Sequence, residues 1–266
     1  MKTPITYYGG KQNLAAEILP LIPPHHIYCE PFFGGGAIFF LKPPSKVEVI
    51  NDLNSEVINF YRVLKTDFKK LQKEVRTTLH SRELHRRAAL IYLNPFMFSP
   101  LQRAWAFWCL SSQSFSSILT GGWGYDRMAG SVEKRLKNRR AEFVKEFSER
   151  LEKVQIECAD GIRVIESRNT PETFYYVDPP YYNSDKGHYK DYSESQFRDL
   201  LDCLQNIKGK FLLSSYPSEL LNEYAKKNNW HQIKIEKRVA VTHLTSKTKT
   251  EVLTANYDIQ QMKLAA

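Results

Sequence analysis

This sequence predicts an α/β fold: a mostly parallel sheet of seven strands alternating with helices, interrupted by an inserted, mostly helical lobe. Three observations carry that reading. Short β-branched and aromatic runs alternate with helical stretches before Tyr61 and after Arg150, the order of βα units with parallel strands. The last two strands, Gln232 to Arg238 and Glu251 to Tyr257, follow one another without an intervening helix, so one sheet edge is expected to be antiparallel. Between Tyr61 and Arg150 helical periodicity takes over, and that segment holds 18 Lys and Arg against 8 Asp and Glu in a chain of net charge +9.

A chain of 266 residues with 42% hydrophobic content can bury one core plus a smaller lobe. The expected division gives residues 1–60 and 150–266 to the sheet domain and 61–149 to the lobe. Basic charge confined to one region suits a polyanion, although a solvated surface would read the same way. Cys29, Cys109, Cys158 and Cys203 are too scattered for zinc or paired redox chemistry and read as free thiols, so no metal is expected. The apolar runs Ala37 to Leu41 and Ala104 to Leu110 are too short to span a bilayer, and the start of the chain lacks a signal-like core. A cytoplasmic protein without a membrane partner is the expectation.

Taken in order, Tyr7-Tyr8-Gly9-Gly10-Lys11 comes first, where two glycines allow close backbone approach and a cation follows. His26 to Glu30 is a short strand, Pro31-Phe32-Phe33-Gly34-Gly35-Gly36 a loop, and Ala37 to Leu41 a helix start. Strand, glycine loop and helix form a nucleotide-binding crossover. The dinucleotide fingerprint fails, because Phe39 stands where its third glycine would fall. The second strand, Lys46 to Asn51, ends in Asp52. An acid there either accepts from ribose hydroxyls or caps the following helix, with Asn54 and Ser55 as other cap candidates.

A helical pattern runs from Asn54 to about Val75, followed by a basic, aromatic region with Arg82, Arg86, Arg87 and the segment Arg103 to Trp108. Those aromatics fit a small core. A glycine-rich interval from Ser111 to Gly130 includes Trp123 and Tyr125, and the cations Lys134, Arg135, Lys137, Arg139 and Arg140 come next. Polar loops flanked by cations suit a nucleic-acid groove. Val154 to Glu157 is then a strand ending at Asp160-Gly161.

Thr173-Phe174-Tyr175-Tyr176-Val177 reads as a buried strand that stops at Asp178-Pro179-Pro180-Tyr181. Two prolines forbid further ladder pairing, so the chain leaves the sheet at a carboxyl-terminal strand edge, where open α/β sheets bind ligands. A carboxylate and a proline carbonyl can together accept both protons of an exocyclic amino group, and a tyrosine face can stack on a flat base. The alternative is a structural turn. A helix from about Glu194 to Ile207, a strand at Phe211 to Leu213 and a helix from Leu220 to Lys227 precede the final two strands.

Asp178 to Tyr181 resembles the catalytic tetrapeptide of amino-directed DNA methyltransferases. Across almost the whole chain, the order of Tyr7 to Lys11, Pro31 to Gly36, Asn51-Asp52, the insertion and Asp178 to Tyr181 is similar to the Dam-like, D12 class family of DNA adenine methylases. The resemblance implies a Rossmann-like, S-adenosylmethionine-dependent sheet with an inserted target-recognition lobe. It implies that Tyr7, Lys11, Asp52 and Asp178 contact the cofactor, with Phe32, Gly34 and Gly36 shaping the pocket and Asp160 a candidate for the cofactor's adenine. Asp178, Pro179, Pro180 and Tyr181 would then serve methyl transfer to an adenine flipped from double-stranded DNA, with a cognate restriction endonuclease acting separately. Arg82, Arg86, Arg87, Trp123, Tyr125 and the cluster Lys134 to Arg140 would meet DNA. Competing readings are transfer to adenine in RNA or to the cytosine amino group, and a regulator that binds cofactor and DNA without catalysis. A nicotinamide oxidoreductase is disfavoured by Phe39.

Overall fold

The computed structural model describes residues 2–7, 9–128, 130–182, 192–240 and 246–265; Tyr8 of the N-terminal motif lies outside them. In chain order the elements are α1 (Ala15–Ile18), β1 (Ile27–Glu30), α2 (Ala37–Leu41), β2 (Val47–Asn51), α3 (Ser55–Thr66), α4 (Phe68–Thr77), α5 (Arg82–Leu93), α6 (Pro100–Gln113), α7 (Ser131–Ala141), α8 (Glu146–Arg150), β3 (Gln155–Glu157), α9 (Gly161–Ser167), β4 (Thr173–Val177), α10 (Glu194–Gln205), β5 (Lys210–Ser215), α11 (Glu219–Lys227), β6 (His231–Ala240), β7 (Ser246–Ala255) and α12 (Ile259–Ala265). The strands form a seven-stranded sheet in the order β3-β2-β1-β4-β5-β7-β6. β1 is parallel to β2 and β4, and β4 to β5. β7 runs antiparallel to both β5 and β6. The expected strand count and the antiparallel edge are both present.

By internal contacts the chain divides into two units, Met1–Leu19 with Phe33–Pro44 and Asp52–Cys158, and Pro20–Phe32 with Ser45–Asn51 and Ala159–Ala266. The division groups the glycine loop, α2 and α3 with the helical segment, whereas the sequence-based boundaries lie at 60 and 150.

In the second unit β4 is buried along its whole length, which is why it reads as a continuous apolar run. Side chains alternate faces along a strand, so the sheet has two different surfaces. On one, Cys29, Tyr175, Val177, Phe211, Leu213 and Val252 pack with Val164 and Ile165 of α9 and Phe197, Leu200 and Leu204 of α10. Burying a side chain of that size stabilises by roughly 1.5–3 kcal/mol, so this face is a principal source of the unit's stability. The other face carries Tyr28, Glu30, Tyr176 and Ser214, which are buried, and Glu251. Polar groups thus collect on one surface near the carboxyl ends of the parallel strands.

The first unit is built around α6, whose residues Ala104 to Gln113 are all buried. A helix apolar on every side belongs inside a core. Ser99 and Gln102 form a capping box and Pro100 occupies the first turn, so the start of α6 is fixed locally. Phe60, Tyr61, Phe107, Trp108, Phe143 and Phe147 are buried in this unit. Arg103 grips the buried Glu56 with two donors, Nε at 3.0 Å and Nη2. The helix expected from Asn54 to about Val75 is broken at Asp67, which leaves helical geometry at φ −132°. Among the described residues of the interval after α6, strand pairing is a single bridge between Ser114 and Trp123.

Candidate active site

In the first unit the glycine loop is held on both sides. The Gly34 N–H donates to Asp52 Oδ2 at 2.8 Å, and its carbonyl accepts from the Tyr61 hydroxyl at 3.1 Å. A Cβ on Gly34, at φ 47°, would lie 2.9 Å from the Tyr7 ring, and one on Gly36, at φ 62°, 2.4 Å from the Phe33 ring. Both positions therefore exclude side chains on steric and backbone grounds. Asp52 Oδ1 accepts the Asn54 N–H at 2.8 Å. The N-cap of α3 is Asn54, which accepts from Glu56 N–H, so Asp52 is not the helix cap. Two amides occupy two of about four acceptor positions on the Asp52 carboxylate. Burial raises its pKa above the ordinary value, and the two amides offset that only in part. Lys11 is buried and donates to the Gly9 carbonyl at 3.2 Å. Phe39 is core, edge-on to Phe33 at 5.4 Å, with the Arg150 guanidinium 3.7 Å from its centroid.

In the second unit Asn51 clasps two loops. Its Nδ2 donates to the carbonyls of Pro31 and Ala159 at 2.9 and 3.0 Å, and its Oδ1 accepts from Ala159 N–H at 2.8 Å. The buried amide thereby fixes the chain just before Phe32 and just before Asp160. A Cβ on Gly161 would lie 2.6 Å from the Phe32 ring. Asp160 caps α9 through Oδ1, accepting from Ile162 and Arg163 N–H. Its sequence-expected contact to a cofactor adenine would need its other oxygen.

Asp178 follows the last residue of β4, with Pro179 buried behind it. The Tyr181 hydroxyl is 3.1 Å from Asp178 Oδ1 and 3.2 Å from Ser214 Oγ, and it donates to Glu251 Oε1. Ser214 in turn donates to Glu251 Oε1 at 2.7 Å. Burial, then the charges of Asp178 and Glu251, hold the Tyr181 phenol far above its usual pKa, so it keeps its proton and acts as a donor. The Tyr216 ring stands edge-on to Tyr181 at 4.5 Å and 61°. On β1 the buried Glu30 accepts from the Tyr28 hydroxyl at 2.7 Å. Tyr176 also has its pKa raised by burial first, then by Asp178, Glu30 and Glu251. Glu30 on β1, Glu251 on β7 and Asp178 just past β4 thus all bear on Tyr176.

Residues 7–241 match the family model for the D12 class of N6 adenine-specific DNA methyltransferases. The chain belongs to that family. It is 30% identical to the type II methyltransferase M1.LlaDCHI of Lactococcus lactis subsp. cremoris over 94% of this chain and 93% of that one. It is 25% identical to the type II methyltransferase M.MjaIII of Methanocaldococcus jannaschii over 73% and 74%. The modification methylase StsI of Streptococcus sanguinis is 24% identical over 99% of this chain and 44% of its own length. This D12 methyltransferase is thus an enzyme that acts on adenine in DNA, and relatives of restriction-modification type surround it.

The helical segment of the methyltransferase sorts the expected DNA-binding cations into two groups. Arg139 is turned inward, donating to the Ser111 carbonyl at 3.0 Å, to Ser112 Oγ at 3.3 Å and to Thr6 Oγ1. Burial, then the charge of Arg135, pulls its pKa down to about 10. Arg140 donates to the Thr78 carbonyl at 3.0 Å. Lys134, Arg135 and Lys137 are exposed, as are Arg82, Arg86 and Arg87. Trp123 stacks with His80 at 4.6 Å and with Tyr125 at 5.5 Å, and the Arg82 guanidinium is 4.9 and 5.6 Å from the Trp123 and Tyr125 centroids. Trp123 Nε1–H donates to Gln113 Oε1 at 3.3 Å, which anchors the stack to α6.

Sequence reasoning passed over Glu30, Ser214, Tyr216 and Glu251. Glu30 had a signal, an acid closing an apolar strand. Ser214 and Glu251 had none, because the antiparallel pairing of β5 with β7 brings them together. Among the described residues no His, Cys, Asp and Glu group is arranged to hold a metal, and no helix is long and apolar enough to cross a membrane. Cys29 and Cys109 are buried, Cys203 is half-buried and Cys158 is exposed.

Proposed function

We propose that the protein is a site-specific methyltransferase that uses S-adenosylmethionine to methylate the exocyclic amino group of an adenine turned out of double-stranded DNA, as the modification partner of a separately acting restriction endonuclease. The observation that carries this reading is the end of β4, where Asp178 emerges from a fully buried strand beside an anchored Tyr181. The donor set suits the cofactor. Gly34 and Gly36 leave bare backbone where any side chain would collide, and Asp52 keeps acceptor positions that a ribose diol can fill. Tyr7, Lys11 and Phe32 complete the residues assigned to holding it. When bound, the sulfonium supplies an activated methyl group.

The chain's own residues have three tasks. Asp178 and the Pro179 carbonyl accept the two protons of the adenine amine, which turns the nitrogen lone pair toward the methyl group. Their negative potential stabilises the positive charge that develops on that nitrogen. Tyr181 offers its ring face to the extruded base. An expected outcome follows: Asp178→Ala folds and binds cofactor but transfers no methyl group to DNA, read by transfer of radiolabel from the cofactor. A folded mutant with near-normal turnover sinks the assignment, and wild-type protein that binds cofactor and DNA without transfer would be a regulator.

A further inference from the structure

We propose that Glu251 is a positioning residue for methyl transfer, which takes the Tyr181 hydroxyl proton and so keeps it off the carboxylate of Asp178. The inference rests on the reading of Asp178 as the acceptor for the adenine amine. Its basis is a count of protons. Tyr181 has one phenolic proton, and its hydroxyl oxygen meets two carboxylates, Asp178 Oδ1 at 3.1 Å and Glu251 Oε1. A proton given to Asp178 occupies a lone pair on Oδ1 and withdraws charge from the group that must attract the amine. Given to Glu251, it takes nothing from the strength of Asp178 as an acceptor.

The fold makes Glu251 the fixed partner of the two. Ser214 pairs with Leu253 across β5 and β7, and Glu251 lies two residues from Leu253. Residues two apart share a sheet face, so Glu251 and Ser214 are diagonal neighbours on one surface. Ser214 closes the pair with its 2.7 Å bond to Glu251 Oε1. The glutamate is thus held by a strand ladder, while Asp178 stands on the turn after β4. The bond from the Tyr181 hydroxyl to Glu251 pins one end of the ring that Tyr216 meets edge-on, which sets the plane in which a base can stack.

The test is a double-mutant comparison in the full-length enzyme, with single-turnover methyl transfer measured at saturating DNA and cofactor. Glu251→Ala frees the Tyr181 hydroxyl for Asp178, and the rate should fall about tenfold to a hundredfold, the scale of one charged hydrogen bond. Tyr181→Phe keeps the ring and removes the competing proton, so Glu251→Ala added to it should cost less than about threefold. The double mutant should therefore be faster than Glu251→Ala alone. Losses that multiply, leaving the double mutant slower than either single mutant, would overturn the inference, as would a Glu251→Ala enzyme of wild-type rate. If Glu251→Ala does not fold, Glu251→Gln keeps an acceptor oxygen for both hydroxyls. Its rate should stay within about threefold of wild type, and a folded Glu251→Gln enzyme slowed as much as tenfold overturns the inference. An Asp178→Ala control separates the two readings. If that mutant is active, the site itself is misassigned; if it is inactive and the losses above multiply, only the role of Glu251 fails.

Discussion

Asp52 shows how a single carboxylate can be held above its ordinary pKa while still surrounded by donors. Burial disfavours its ionised form more than the amides of Gly34 and Asn54 favour it. The direction has two consequences of opposite sign. For the empty protein, a raised carboxylate pKa means that ionisation costs stability: the cost is absent below about pH 4 and appears as pH rises through the folded value. For cofactor binding, the ionised form is the stronger acceptor for ribose hydroxyls, so affinity should weaken on acidification at a pH above the ordinary Asp range. Calorimetry on wild type and Asp52→Ala should give a difference of about 1 to 3 kcal/mol at neutral pH, shrinking as pH falls. A difference that is zero throughout removes Asp52 from the cofactor site.

At the scale of the element, α7 separates cations by helical phase. Val132, Leu136 and Arg139 lie on one stripe at i, i+4 and i+7, and the first two are buried. The spacing was therefore a sequence signal that Arg139 faces inward, and a reading based on charge alone overlooked it. Lys134, Arg135 and Lys137 point to solvent. Replacing Lys134 and Lys137 with alanine should weaken binding to all duplexes alike and flatten the slope of log affinity against log salt by up to about two units. Arg139→Ala should instead lower stability by about 1 to 3 kcal/mol, because it strips internal hydrogen bonds from Ser111, Ser112 and Thr6. Thermal unfolding and a salt titration on both variants would separate the two roles; equal salt slopes for wild type and the lysine mutant would put the DNA elsewhere. The Arg82, Trp123 and Tyr125 stack is the better candidate for reading bases, since arginine held on aromatic rings presents its planar fork edge-on. Arg82→Ala should relax preference at one position of the methylated sequence, read by sequencing modified DNA; uniform loss across sequences would make it a phosphate contact.

For the molecule as a whole, legibility followed the range of the contacts. β4, the glycine loop and the turn at Asp178 were readable because each is specified by neighbours in sequence: an apolar run, glycines before a helix, two prolines after a strand. The antiparallel edge was readable from a missing helix. What could not be read were groups joined by register. Glu251 lies 70 residues from Tyr181 and 37 from Ser214, and only the pairing of β7 with β5 makes them partners. The inward turn of Arg140 onto the Thr78 carbonyl, 62 residues away, is of the same kind.

That both units are assembled from separated stretches bears on how the chain is made. The first unit has all of its residues once Cys158 has been synthesised, whereas the second begins with Pro20 to Phe32 and Ser45 to Asn51 and is completed only by the stretch from Ala159 onward. β1 and β2 must therefore wait for β4, which β1 needs as its neighbour. At roughly 5–20 residues per second, the interval of about 120 residues between them lasts on the order of 6 to 24 s. During it, Cys29, Val49 and their neighbours lack the sheet partner and the helices that later cover them. A ribosome-bound chain arrested shortly after Cys158 has emerged should protect Phe33 to Pro44 and α3 to α8 from protease and leave Pro20 to Phe32 and Ser45 to Asn51 open to cleavage. Holdase chaperones should bind those two stretches, and their protection in the arrested chain would show that the sheet nucleates without β4.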